Sequence, residues 1–301
     1  MTDSHRTLPA PGILYAFLAY GSWGLLPLYW KLFGNTPAVQ VLSHRIIWSA
    51  VLLIAVLAIQ QRLDEFGKLW RSPRLLLTLL TSAILLSLNW GIYIYGVNAE
   101  RIVETSLGYF INPLFSVLLG CVFLGERLNR WQIFAVALAG MGVTNFMVDL
   151  GQVPWIAFVL AISFGIYGLL RKVAAVQPMA GLAVETLLIT PIALGFILHW
   201  SAAGTSQFGS SLPLTLLFIG CGVITSMPLL WFNNAAKRLP LTTLGFMQYI
   251  APTLQLMLGV FLFHEPFTRT HLISFSLIWI ALALYSTNAV LKTRRRTQPS
   301  A

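Results

Sequence analysis

The sequence predicts an all-α integral membrane protein, with ten transmembrane helices arranged as two inverted five-helix repeats. Three observations carry this expectation. Charged residues make up only 9 % of the 301 residues and hydrophobic ones 57 %, whereas a soluble domain carries about 25 % charge. Apolar runs of the roughly 20 residues needed to cross a bilayer use up nearly the whole chain. Residues of the first half recur in the second at a shift near 140 positions. The hydrophobicity also excludes a disordered chain, and the short loops leave no room for a soluble catalytic domain.

The spans fall at 11–32, 38–60, 74–97, 102–124, 131–149, 154–173, 179–199, 212–234, 241–263 and 268–291. The tail Met1 to Pro11 runs into an apolar stretch too long for the core of a cleavable signal peptide. The longest polar interruptions, Gln61–Pro73 and Ser201–Ser211, are too short for a domain. Cys121 and Cys221 both lie in apolar segments, so no disulfide is expected.

The net charge of +10 follows the segment ends. With the N-terminus cytoplasmic, one side collects Arg6, Arg62, Lys68, Arg71, Arg74, Arg127, Arg130, Arg171, Lys172, Lys237, Arg238, Lys292 and Arg294 to Arg296. The other side collects only Lys31, Arg101 and Arg269, and Arg45 sits inside the second span. That asymmetry predicts cytoplasmic termini, which an even number of spans requires. Residues 292–301 read as a basic cytoplasmic tail and not as a nucleic-acid site.

Shifted by 141, Lys31 falls on Lys172 and Pro37 on Pro178, and Ser22-Trp23-Gly24 falls on Ser163-Phe164-Gly165. Shifted by 137, Arg101 falls on Arg238 and Leu107-Gly108-Tyr109 on Leu244-Gly245-Phe246. Shifted by 139, Pro113 falls on Pro252, Gly120 on Gly259 and Glu126 on Glu265. The units are 1–150 and 151–291. Five spans per unit is an odd number, so the second unit starts from the opposite face of the membrane. Inverted repeats are typical of secondary transporters, which hold solute near the midplane between the repeats.

Polar side chains at membrane depth are costly and face the bundle interior, a cavity or each other. His44 and Arg45 lie within the second span. Arg45 reads either as a cavity residue that orients an anionic or carbonyl group, or as a structural lock paired with an acid or helix-end carbonyls, or snorkelling to the interface. His44 could couple protons or serve a structural hydrogen bond. Glu185 corresponds to His44 at the 141 shift. It is a candidate proton carrier, a cation site or a partner for Arg45.

Asn89 and Tyr93 share a helix face, with Trp90 beside them. Tyr109 and Asn112 share another. Trp231, Asn234, Gln248 and Tyr249 are the second-half candidates. Together these residues can line one polar, aromatic cavity, or individually hold helices together by hydrogen bonds. The matched prolines Pro113 and Pro252 read as hinges or gates, or as packing kinks.

No metal-ligand cluster, phosphate-binding glycine loop or hydrolase motif occurs, so no cofactor and no metal is expected. A membrane-embedded enzyme acting on a lipid or isoprenoid intermediate, and a membrane receptor without flux, are the alternative readings. Substrate and oligomeric state are left open, and a monomer suffices.

Several stretches resemble a known family. They are Leu28-Tyr29-Trp30-Lys31, Ser43-His44-Arg45-Ile46-Ile47-Trp48-Ser49, Asn89-Trp90-Gly91-Ile92-Tyr93, Ser106-Leu107-Gly108-Tyr109-Phe110-Ile111-Asn112-Pro113 and Gly245-Phe246-Met247-Gln248-Tyr249-Ile250-Ala251-Pro252-Thr253. The chain resembles the EamA-domain branch of the drug/metabolite transporter superfamily, and within it the RarD permeases, over residues 8 to 290. That resemblance implies a bacterial inner-membrane carrier with cytoplasmic termini, working in the export direction on a small organic metabolite or drug.

Overall fold

A computed structural model of the chain describes residues 10–125, 128–174, 176–236, 238–239 and 247–297. Every described element is helical. The order is α1 (Ala10–Lys31), α2 (Ala38–Ile59), α3 (Leu63–Leu69), α4 (Pro73–Asn98), α5 (Ile102–Leu124), α6 (Arg130–Leu150), α7 (Trp155–Val173), α8 (Pro178–Ala202) and α9 (Leu212–Ala236). Then come α10 (Ile250–Met257), which runs into a π-helical turn at Leu258–Leu262, and α11 (Arg269–Thr297). Arg6, Glu126, Arg127, Lys237 and Leu244 to Phe246 lie outside the described residues.

Six helices, α2, α4, α5, α6, α8 and α9, are long and apolar enough to cross a membrane, and α7, α10 and α11 hold shorter apolar stretches. Their outward faces stay apolar. Val122, Val148, Leu198 and Phe261 are each at least two-thirds exposed, which in water would be an aggregation surface and in lipid is the required one. The protein is a multi-pass membrane protein.

Local chemistry sets the helix ends. Asn129 and Gln132 form a reciprocal cap at the start of α6, which satisfies two orphan backbone donors. Gly125 and Gly151 end α5 and α6 in the left-handed conformation that glycine adopts without penalty.

Three features differ from the expectation. The polar stretch Gln61–Pro73 contains the short helix α3, whose first turn holds Asp64 and Glu65. Helix α11 continues through Thr297, past the expected start of the tail. The ninth span, expected as continuous over 241–263, is interrupted by a turn at Gln248–Tyr249 and starts α10 at Ile250. Pro252 has no N–H to give the Gln248 carbonyl, so the helix is weakened at that turn. Its counterpart Pro113 sits inside the continuous helix α5, so the two prolines do not act alike.

The main packing partners come in matched sets. Helix α1 packs on α9 as α7 packs on α4, α1 on α10 as α7 on α5, and α2 on α9 as α8 on α4. Three further pairs, α6 with α11, α2 with α8 and α5 with α10, join three helices of one half to their own counterparts in the other. Helices α2 and α8 run antiparallel. Ile46 packs near Ile189 and Ala193, whereas Leu57 packs near Met179 and Leu182.

The α5–α7 crossing is close because Gly108 has no side chain. A Cβ there would lie 2.8 Å from the Ala157 carbonyl oxygen and 3.0 Å from its Cα. Backbone cannot yield as a side chain can, so Gly108→Ala is expected to destabilise the fold by about 1–3 kcal/mol. Thermal unfolding in detergent reads this directly, and an unchanged midpoint would refute the rigid crossing.

The end of the bundle that holds Lys31 is tied by polar bridges. Glu265 accepts hydrogen bonds from the backbone N–H groups of Ile102 (2.6 Å) and Val103 (2.8 Å) at the start of α5. Glu104 accepts from Ile156 N (2.9 Å) at the start of α7 and pairs with Arg101 at 2.5 Å. Gln40 donates to the Thr205 carbonyl (3.1 Å) and accepts from Gln207 N (3.2 Å), and Thr268 donates to Asp149 (2.8 Å). Burial pushes the Glu265 carboxyl above the usual carboxylate range, while the two N–H groups and Lys31 pull it back down.

Candidate functional site

Arg45 lies in α2 and is 5 % exposed. Its guanidinium carbon sits 4.0 Å from the ring centre of Trp90 on α4 and 5.1 Å from that of Trp30 on α1. The Nε and Nη1 atoms are buried and meet no acceptor, and no carboxylate pairs with Arg45 among the described residues. The ionisable groups facing it are Cys221, Tyr109 and Tyr93. The hydroxyl of Tyr93 and the indole nitrogens of Trp30 and Trp48 are likewise buried without a partner. Aromatic rings therefore surround a cation whose Nε and Nη1 donors are unused. Cation–π attraction supplies some compensation, but it leaves those donors unsatisfied.

His44 packs against other rings. Its ring stacks on Phe208 at 4.7 Å and lies against Phe218 at 4.3 Å. Glu185 does not reach Arg45. It accepts from Ser82 Oγ on α4 at 2.5 Å and lies 3.5 Å from Arg171 on α7. Tyr167 faces the same carboxyl, yet Oε2 has no aligned hydrogen bond. The antiparallel run of α2 and α8 explains the separation. Arg45 and Glu185 each lie about two turns from the start of their helices, and those starts are at opposite ends of the bundle.

Asn89 is a cross-link. Its amide donates to the Leu160 carbonyl and to Ser163 Oγ, both at 3.0 Å, and its oxygen accepts from Tyr109 at 3.4 Å. Tyr109 packs edge-on to Tyr93 at 5.6 Å, so Asn89, Tyr93 and Tyr109 form the wall next to Arg45. Asn112 is half-buried one turn further along α5, with its side-chain oxygen unpaired.

The second-half candidates do not join this group. Asn234 donates to the Leu230 carbonyl and accepts from Arg238 at 3.0 Å. Trp231 is half-buried in α9. Gln248 and Tyr249 form the turn before α10, with Tyr249 stacked on Phe110 at 6.4 Å. The Pro252 carbonyl accepts from Ser106 Oγ at 2.8 Å, which ties α10 to α5. A surface depression of about 450 Å³ on α8, lined by Ile192, Gly195, Phe196 and His199, includes none of the predicted residues.

Sequence reasoning missed Trp30 and Cys221 as neighbours of Arg45, Arg171 and Ser82 as partners of Glu185, and the backbone contacts of Glu265. Trp30 lies in a quoted motif, and Glu265 in the matched pair with Glu126. Nothing in the sequence places Cys221 by Arg45, or Arg171 and Ser82 by Glu185.

Residues 10–147 and 153–287 each match the model of the EamA-like transporter family. The uncharacterized transporter YojE of Bacillus subtilis is 45 % identical over 288 residues, which cover 93 % of this chain and 94 % of that protein. Protein RarD of Salmonella typhi is 42 % identical over 286 residues, covering 95 % and 97 %. A solved crystal structure superposes with a TM-score of 0.61 over 92 % of this chain and 98 % of that one, at 19 % identity, a likeness of fold alone.

Proposed function

The chain belongs to the EamA-like transporter family, and from that premise we propose a secondary carrier that moves a small organic solute out across the bacterial inner membrane by alternating access. It is a transporter and not an enzyme. The observation that carries the finer reading is Arg45, a buried cation among aromatic rings with its Nε and Nη1 donors unused. A static protein gains nothing from such a group, whereas a carrier can meet it with solute.

The matched packing sets support two five-helix halves of opposite orientation, 1–150 and 151–291. In that arrangement α3 lies at the membrane surface and the other ten helices span. The charge asymmetry puts both termini, and the basic tail 292–301, in the cytoplasm. The Lys31 end is then periplasmic, and its polar bridges close that side. The solute moves between the halves, lipid surrounds them, and a monomer suffices.

Glu185 is the proposed proton carrier. Its second oxygen is free of aligned partners, and Arg171 is at hand to stabilise the ionised form. Counterflow in proteoliposomes tests the carrier, since a receptor exchanges no labelled solute. Candidate solutes come from metabolite profiles of cells with and without the gene. Wild-type exchange is expected to accelerate under a pH gradient, and Glu185→Gln to lose that acceleration while keeping gradient-free exchange. Unchanged gradient-driven flux in the variant would remove Glu185 from proton coupling.

A further inference from the structure

The geometry points to a monocarboxylate with a planar or apolar body as the solute class that Arg45 receives. This rests on the carrier reading above, with Arg45 in the solute path. A buried ion without a counter-ion costs several kcal/mol after relaxation. The described acids that come nearest the bundle core are committed elsewhere: Glu185 to Arg171 and Ser82, Glu104 to Arg101 and Ile156, and Glu265 to Ile102 and Val103. Among the described residues the counter-charge for Arg45 is therefore absent.

The class of that counter-charge follows from what surrounds the guanidinium. Arginine N–H groups form charge-assisted hydrogen bonds to carboxylate oxygens, and Nε and Nη1 are both unpaired. Among the described residues the ionisable groups that act on the guanidinium are a thiol and two phenols, and no second cation is among them. One positive charge balances one carboxylate. It leaves a phosphate monoester, which carries close to two charges at neutral pH, half compensated in a site of low dielectric. The indoles of Trp30 and Trp90 offer flat faces for the rest of the solute, and the Tyr93 hydroxyl is a spare donor for the carboxylate. A neutral amide of the same shape would leave the charge uncompensated.

The test uses the purified full-length protein in nanodiscs. The probes are benzoate, indole-3-acetate and hexanoate, each beside its own amide, with phenyl phosphate as the dianion. Ligand-dependent thermal shift is read with increasing probe. At least one acid is expected to give a saturable shift while its amide gives none at the same concentration, and phenyl phosphate is expected to bind more weakly than benzoate. Arg45→Gln is expected to weaken the acid at least tenfold, with Arg45→Lys recovering part of the loss. An amide that matches its acid, tighter binding of phenyl phosphate, an undiminished response in Arg45→Gln, or no response to any acid overturns the assignment. The acid-against-amide comparison needs only the wild-type protein, so a misfolded variant cannot hide the answer. Counterflow of a neutral metabolite alongside failed acid binding would sink the carboxylate while leaving the carrier intact. Absence of counterflow for every solute would sink the carrier itself.

Discussion

Arg45→Gln is expected to lower solute flux and at the same time raise thermal stability. The two signs have one cause. In the wild type the guanidinium is buried with Nε and Nη1 unpaired, held only by the faces of Trp30 and Trp90. Each cation–π contact is worth about 0.5–2 kcal/mol, while desolvation of an unpaired ion costs several kcal/mol. Desolvation wins, so a shorter neutral side chain is expected to stabilise the solute-free protein by about 1 kcal/mol. Flux depends on a charge-assisted hydrogen bond worth about 1.5–3 kcal/mol. Its loss lowers the transport efficiency by about 10- to 150-fold. Thermal unfolding and counterflow on one preparation measure both. A structural lock gives the opposite pattern, with stability falling and flux in the folded fraction retained.

The same contrast shows what the sequence could and could not say. Arg45 stood out because a charge inside an apolar span needs a reason, and that reasoning depends on no coordinates. The identity of its neighbours was not legible. Trp30 and Trp90 come from α1 and α4, and only the crossing of three helices brings their rings to one cation. The pairing of Arg45 with Glu185 was a fair reading of two opposite charges. It failed on depth, because α2 and α8 run antiparallel and Arg171 lies nearer to Glu185.

Span positions such as 102–124 could be read almost to the residue, since apolar length and flanking charge set them directly. The interruption at Gln248–Tyr249 could not. A proline predicts a missing hydrogen bond, but surrounding packing decides whether the helix tolerates it, as α5 does at Pro113, or breaks. The short helix α3 was hidden for a related reason, since its polar composition carries no spanning signal.

Glu265→Ala is expected to open the Lys31 end of the bundle, with a large effect on the accessibility of the site. The carboxylate belongs to the segment between α10 and α11, yet it caps the start of α5, in the other half of the chain. Gly259, in the π turn just before it, lets this segment approach Ile102 and Val103, where a Cβ would already be in tight contact at 3.3 Å. Such a bond between halves must break whenever that end opens, so it weights the closed state directly. Two hydrogen bonds to a charged group are at stake. Their N–H groups find water once the end is open, so the shift in the opening equilibrium is about 1–3 kcal/mol, or about 5- to 150-fold.

Cys221 is a natural reporter, wholly buried in α9 beside Tyr29 and Arg45. In a Cys121→Ser background, an impermeant thiol reagent added outside spheroplasts is expected to label Cys221 faster by that factor in Glu265→Ala. Glu265→Gln keeps one acceptor oxygen and should fall between. Glu65→Ala, which removes a partly exposed ion pair with Arg62, should leave the rate unchanged. Equal acceleration in the Glu65 control would mean general loosening and not a gate. Acceleration seen only in inverted vesicles would place the Lys31 end in the cytoplasm and reverse the membrane orientation. If Glu265→Ala labels no faster from either side, the α5 cap is a static brace, and the end that opens must be the one opposite Lys31.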